Sequence, residues 1–396
     1  MSDSTASRPQ LSTAFFGFVL IGVTSGSWGV LLPSLSGYYR VNDAVLGTLF
    51  FATSSGYFLS ALGSGFLSAK LGQRRYMMTG TALFIFGSLL LALKPSFTLV
   101  LFIRLFEGMA IAMIETGLNL FFASLSNKNA LLNYLHAFYG VGALIGPLIA
   151  SAILALSWAW NIAFFIWALL ALPLLLGLFT FFRHQSSVHE EQEGKGEHGL
   201  LPALKLPAVW CITLFLLFYV GIEVSLGSWA YTFLLQDRHE NTLLAGWVVS
   251  GYWLGLTLGR FLLNAIAERL HLSVSGLMYL CMGGSALGIL IIWLNSSVLI
   301  TAIGFCLVGT CLGPIYPSTV ALLPTLVPDR LVSSAMGFLI GTSILGIALF
   351  PWIAGVLAQY TGIWSLLPYT LGLTIIILIL WWIMKQGSQR SQSPPP

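Results

Sequence analysis

Long, nearly unbroken runs of apolar residues, separated by short polar breaks, organise this chain from end to end. Twelve such runs cover approximately 11–39, 45–67, 76–93, 97–125, 130–156, 160–182, 207–235, 243–266, 274–294, 298–326, 331–358 and 362–384. A helix crosses the hydrocarbon of a bilayer in roughly 20 predominantly apolar residues, and each run meets that length or comes close to it. A membrane barrel needs alternating strands of about ten residues; these runs are longer and mostly continuous, so they predict helices. Composition agrees, with 57% hydrophobic and 8% charged residues and a mean hydropathy of +0.90, where a soluble domain carries about 25% charge. The expected fold class is therefore an all-α integral membrane protein of twelve transmembrane helices, with the lipid bilayer as its solvent.

Charge sets the expected orientation. With the N-terminus inside, the inner side carries Arg8, Lys70, Arg74, Arg75, Lys128, Arg183, Lys195, Lys205, Arg269, Arg330, Lys385 and Arg390, and the outer side only Arg40, Lys94 and Arg238. The positive-inside rule then places both termini in the cytoplasm of a cell-membrane protein. The opening MSDSTASRPQ has no compact apolar core with a cleavage site, so no removable signal peptide is expected. Cys211, Cys281, Cys306 and Cys311 lie in apolar runs without metal-ligand spacing, which predicts no metal site and no disulfide framework. No basic patch interleaved with aromatics suggests nucleic acid. No zinc spacing or nucleophile motif suggests an enzyme or a resident cofactor.

The interior has one long hydrophilic stretch, RHQSSVHEEQEGKGEHG at 183–199, and its composition is that of a linker. Residues 1–182 and 207–396 are read as two halves joined by a cytoplasmic linker at 183–206. The halves repeat: Gly26-Ser27-Trp28 returns as Gly227-Ser228-Trp229, Gly56-Tyr57-Phe58-Leu59 as Gly251-Tyr252-Trp253-Leu254, and Gly140 as Gly341. These matches are colinear, pairing spans one with seven, two with eight and five with eleven. Two parallel six-helix halves of this kind resemble the major facilitator superfamily, which implies a substrate site near the midplane between pseudo-symmetric halves.

Two motifs extend the resemblance. GSGFLSAKLGQRR, 63–75, is similar to the superfamily's signature between spans two and three, with Gly65, Lys70, Gly72, Arg74 and Arg75 in matching positions and Ala69 where an aspartate is usual. Those five residues are the implied gating set, its basic members able to meet a helix C-terminus. RLFEGMAIA, 104–112, resembles the span-four motif that opens on an intramembrane arginine with glycine four residues on. In many proton-coupled members that arginine influences the acid that takes up the proton.

Five charges lie well inside apolar runs: Arg104, Glu107, Glu115, Glu223 and Arg260. Each costs about 2.5–3.5 kcal/mol at a helix centre, so they must face protein or water. At 100° per residue Arg104, Glu107, Gly108, Glu115 and Asn119 lie within about 60° of Arg104, a polar stripe of roughly 22 Å. Arg104 and Glu107 either pair with one another at i,i+3 or belong to the cavity face. Arg260, six residues from the end of its run, is expected to snorkel to the cytoplasmic surface. Glu115 and Glu223 have no base one turn away on their own helices and lie near mid-membrane, where a carboxylate serves as proton carrier or substrate acceptor. His136 lies at a depth similar to Glu115 on the next helix; it either touches that acid, suiting proton handling, or makes a local hydrogen bond.

Trp210, Trp364, Trp381 and Trp382 are placed at the membrane interfaces. Trp28 and Trp229, near carboxylates and amides, have the composition of a sugar site, where aromatic faces stack on ring hydrogens; core packing is the alternative for each. Pro and Gly in GTCLGPIYPS, 309–318, and GALIGP, 142–147, predict irregularities that flex where the halves meet.

ETGLNL at 115–120, LLNYLHAFYGVGALIGP at 131–147 and YVGIEVSLGSWAYTFLL at 219–235 resemble the fucose, galactose and glucose symporter family, including its sodium-dependent glucose transporter branch. The resemblance implies a secondary transporter for a sugar or similar small polar solute, working as a monomer by alternating access. It implies substrate contacts from Trp28, Tyr57, Asn119, Glu223, Trp229 and Tyr252, and ion coupling through Glu115, His136, Glu223 and Arg104. Fucose permeases also use an aspartate in span one; here 11–39 has no acid. Coupling is accordingly expected to H+ through Glu115 and Glu223, with Na+ as the other option. The rival within transport is a proton-driven exporter of amphipathic compounds or metabolites.

Overall fold

The computed structural model describes residues 6–125, 128–182 and 200–392; most of the predicted linker, 183–199, lies outside them. Among the described residues there are twelve helices long and apolar enough to cross a membrane. The N-terminal half holds α1 (Arg8–Tyr39), α2 (Asp43–Leu71), α3 (Gln73–Ala92), α4 (Phe97–Ala123), α5 (Lys128–Ala155) and α6 (Asn161–Phe181). A short helix, α7 (Leu200–Leu204), precedes α8 (Pro207–Gln236), α9 (Thr242–Arg269), α10 (Val274–Leu294), α11 (Val298–Leu312), α12 (Ile315–Leu326), α13 (Asp329–Thr361) and α14 (Leu366–Gln392). Span seven is thus α8, eight is α9, nine is α10, eleven is α13 and twelve is α14.

Span ten carries the irregularity expected at 309–318. It divides into α11 and α12 at Gly313-Pro314, where proline supplies no N–H to the helical ladder. In α5, by contrast, Pro147 sits inside an uninterrupted helix, so of the two Pro/Gly irregularities only the one at 309–318 breaks its helix.

Helix ends follow local chemistry. Ser7 and Gln10 form a capping box at the start of α1, satisfying amides that the first turn leaves open. Asn42 accepts from Val45 N at 2.9 Å to cap α2, and Asn241 accepts from Leu244 N at 2.9 Å to cap α9. These are corresponding helices of the two halves, so the repeat reaches the caps. Gly72 joins α2 to α3 with φ +76°, a left-handed conformation that favours glycine.

The halves meet through pairs that obey the pseudo-symmetry: α2 packs on α13, α5 on α9, and α1 on α8. The repeated tripeptide itself lies on this axis. A Cβ on Gly29 would stand 2.6 Å from the Ser228 carbonyl oxygen and 2.8 Å from that of Gly227, so α1 and α8 approach backbone to backbone beside the two copies. At the end of the bundle away from the termini, Phe51 meets Trp352 with ring centroids 5.6 Å apart. A Cβ on Gly355 would there stand 2.6 Å from the Asp43 carbonyl oxygen. Toward the terminal end, the Cβ directions of Gly65 on α2 and Gly337 on α13 point into open space. The halves are thus in contact at the end away from the termini.

Candidate functional site

Glycine-mediated approach places the side chains in the N-terminal half. A Cβ on Gly108 of α4 would stand 2.9 Å from the Thr53 carbonyl carbon and 3.0 Å from Tyr57 N, so the glycine four residues after Arg104 exists to let α2 lie directly on α4. That contact carries Tyr57 to Glu115, and the two share a side-chain hydrogen bond. In the C-terminal half α9 and α11 repeat the device, with a Cβ on Gly309 reaching 3.0 Å from Leu256 N. This approach positions Tyr252 and Arg260.

Glu223, on α8, is the hub of the second half. Its carboxylate lies 3.5 Å from the Arg260 guanidinium of α9 and accepts a hydrogen bond from the Tyr219 hydroxyl one turn earlier on its own helix. The same hydroxyl is 3.0 Å from the Leu312 carbonyl at the end of α11. Tyr252 donates to the Glu223 backbone carbonyl at 2.8 Å. The expected snorkelling of Arg260 is therefore corrected: α9 continues to Arg269, and a guanidinium with a carboxylate on the adjacent helix gains more by turning inward than by reaching for the surface.

Tyrosines join the two acids across the interface. Tyr139 of α5 shares a side-chain hydrogen bond with Ser25 and interacts electrostatically with both Glu223 and Glu115; Tyr316 of α12 interacts with both as well, and bonds Ser343 of α13. Carboxylates from opposite halves thus interact with the same two tyrosines. Asn119 lies half-buried on α4, one turn beyond Glu115.

The remaining predicted residues occupy other surroundings. Arg104 and Glu107 form an i,i+3 ion pair at 2.6 Å, both buried, with Ser88 3.3 Å from Glu107 and the guanidinium stacked 3.6 Å from the Trp28 ring centroid. The pairing alternative describes them, and Trp28 presents a face to Arg104 while packing on Phe164. Trp229 is fully buried and donates to the Pro351 carbonyl at 2.8 Å, fastening α8 to α13. Tyr252 is likewise fully buried. His136 is exposed on α5, meets Phe18 edge-on at 5.6 Å and lies within the field of Arg260; Glu115 is joined to Tyr57 instead. Trp381, expected at the interface, is buried against Phe215, because α14 turns that face onto α8.

In the gating set, Arg74 donates to the Leu178 carbonyl at 3.3 Å and to that of Phe179. It thereby covers the carbonyl-rich, electronegative end of α6. Lys70 lies over the Phe66 ring, and Arg75 is exposed. Among the described residues there is no group of three or more His, Cys, Asp or Glu placed to hold a metal ion.

Sequence reasoning missed Tyr139, Tyr219 and Tyr316. Tyr219 had a signal, its i,i+4 spacing to Glu223; the other two come from helices whose approach only the fold reveals.

The family profile described as Major Facilitator Superfamily matches residues 14–270 and 228–396. Similar curated proteins include Bypass of stop codon protein 6 of Saccharomyces cerevisiae, 26% identical across 95% of this chain and 82% of that protein. Another is the Glucose/mannose transporter GlcP of Bacillus subtilis, 21% identical across 92% of this chain and 90% of its own length. Among solved structures, the nucleoside transporter NupG superposes with a TM-score of 0.78 at 12% identity, over 96% of this chain and 99% of that one. A D-xylose-proton symporter does so with 0.76 at 15% identity, over 94% and 97%. At such identities the structural matches speak for the fold.

Proposed function

The chain belongs to the Major Facilitator Superfamily, and from that premise we propose that it is a proton-coupled symporter for a sugar or similar small polar solute. The observation that carries this reading is the juxtaposition of Glu115 and Glu223, from opposite halves, around Tyr139 and Tyr316. A pair of half-buried acids supplies proton-binding groups from both halves. Tyrosines, with Asn119 close by, offer hydroxyl, amide and aromatic surfaces of the kind that hold a polyhydroxylated ring. The similarity to a glucose/mannose transporter supports the same solute class.

In this reading the halves rock about the α1/α8 contact, exposing the acids alternately to the two sides. Both termini are cytoplasmic and the membrane is the cell membrane, as the distribution of Lys and Arg favours. The protein works as a monomer and needs no cofactor beyond its coupling ion.

The deciding experiment is uptake of labelled fucose, glucose and galactose into proteoliposomes under an imposed proton gradient, with a sodium gradient in parallel. Accumulation under the proton gradient alone is expected. Accumulation driven only by sodium would replace the ion. No accumulation of any sugar, with inserted and folded protein, would overturn the sugar reading in favour of a proton-driven exporter.

A further inference from the structure

Tyr219 stands between two acceptors and has one hydrogen to give. Its hydroxyl oxygen is 2.5 Å from a Glu223 carboxylate oxygen and 3.0 Å from the Leu312 carbonyl. Leu312 is the last residue of α11, so its carbonyl lies where the helical ladder runs out of amide donors. Pro314, two residues on, has no N–H to offer, and α12 resumes at Ile315. A carboxylate accepts more strongly than a neutral carbonyl; while Glu223 is ionised, the phenol hydrogen points to it. Once Glu223 is protonated its own O–H donates to the tyrosine oxygen, and the phenol hydrogen is released toward Leu312.

We propose that Tyr219 is a positioning residue that transmits the protonation state of Glu223 to the break in span ten. The inference rests on the proton-coupled reading above. No O–H bond of the tyrosine is broken: one proton is gained by Glu223, and the phenol turns about its C–O bond. With Glu223 protonated, α8 is fastened to the end of α11; with Glu223 ionised that fastening is withdrawn, and α12 can swing about Gly313-Pro314. α12 packs on α8 and α13, and carries Tyr316, which interacts with the acids of both halves. The relay thus joins proton occupancy to the shape of the cavity wall. The groups facing Glu223 are Arg260 and Tyr252 from α9, Tyr139 from α5, Tyr316 from α12 and Tyr219 itself; His136 of α5 faces Arg260 in turn. Of these, Tyr219 is the side chain whose hydroxyl also reaches the end of α11.

The test reads conformation, so it needs no known sugar. Spin labels on cysteines replacing the exposed Leu62 of α2 and Ile340 of α13, with the native cysteines substituted, report the separation of the halves as pH is varied in lipid nanodiscs. The unmodified pair of positions should give a distance distribution that shifts with pH. Glu223→Gln, whose amide donates to the tyrosine oxygen as a protonated acid does, should hold the low-pH distribution at every pH. Tyr219→Phe should hold the high-pH distribution, and the double variant should follow Tyr219→Phe because Glu223 acts through it. A Tyr219→Phe protein that keeps the full pH response, or a double variant that follows Glu223→Gln, overturns the relay alone. A parent protein indifferent to pH overturns the relay together with proton coupling. 3-Fluorotyrosine at position 219 keeps the hydroxyl and the packing; its fluorine resonance should titrate with the midpoint of the distance change, and a resonance that ignores pH also overturns the relay.

Discussion

Arg260 of α9 holds Glu223 of α8 at 3.5 Å, and the two side chains are 25% and 15% exposed. At this separation the opposite charges attract one another, and the pair ties α8 to α9. Arg260→Gln removes that support and leaves an uncompensated carboxylate, a change that costs about 3–5 kcal/mol when a pair is fully buried and less here because water reaches both groups. The variant is expected to lose thermal stability at neutral pH and regain much of it when Glu223→Gln is added. Thermal unfolding of the two singles and the double in detergent checks this; a double variant no better than Arg260→Gln would mean that the pair contributes no coupling.

Glu115 has a different surrounding, a tyrosine hydroxyl from α2 and no cation one turn away on α4. Glu115→Gln is expected to abolish solute accumulation under a proton gradient while leaving exchange between equal pools on the two sides. Paired accumulation and counterflow assays in proteoliposomes decide the point, and accumulation at the parent level would remove Glu115 from the coupling step.

The buried pair of Arg104 and Glu107 predicts a stability effect. Removing either partner strands the other charge among apolar side chains, with a penalty of about 3–5 kcal/mol. Glu107→Ala and Arg104→Ala should both sharply reduce the yield of monodisperse protein, whereas Arg104→Leu with Glu107→Leu should recover much of it. Size-exclusion profiles of fluorescently tagged variants provide the comparison; equal profiles for single and double replacements would show that the pair is dispensable.

Much of this organisation was legible in the apolar runs. Their lengths and spacing mark twelve membrane helices, and the colinear repeats of Gly-Ser-Trp and Gly-Tyr identify the helices that correspond. Facing directions were less accessible. The i,i+3 spacing of Arg104 and Glu107 announces their pair, because both groups lie on one helix. Arg260 and Glu223 come from two helices, and the distance between them depends on how closely α9 can lie on its neighbours. The same limit applies to Tyr139 and Tyr316, ordinary tyrosines in apolar runs until packing turns them toward the acids. Trp229 shows the converse, since a tryptophan near an acid looks like a sugar platform until its indole N–H is found on the Pro351 carbonyl.

That bond predicts how Trp229 behaves. The ring is fully buried between α8 and α13, so Trp229→Phe should cost about 1 kcal/mol for the lost hydrogen bond together with a cavity term for the smaller ring. A lower unfolding temperature with an unchanged apparent affinity for the transported solute is expected. A large rise in the transport KM, with stability unchanged, would instead put Trp229 in contact with solute.

Gly29 offers the sharpest mechanical test, because the obstacles to a side chain there are backbone atoms. A Cβ would stand 2.6 Å from the Ser228 carbonyl oxygen and 2.8 Å from that of Gly227; carbonyls inside a helix cannot turn away without breaking its hydrogen bonds. Gly29→Val is therefore expected to force α1 from α8 at the end where the halves are in contact. A cysteine replacing Ser228, 9% exposed, should be protected from a membrane-impermeant maleimide in the parent and labelled several-fold faster with valine at position 29. Gly283→Val on α10, where a Cβ meets nothing within 4 Å, should leave labelling unchanged. Equal protection in all three proteins would show that the α1/α8 contact does not hold the halves together at that end.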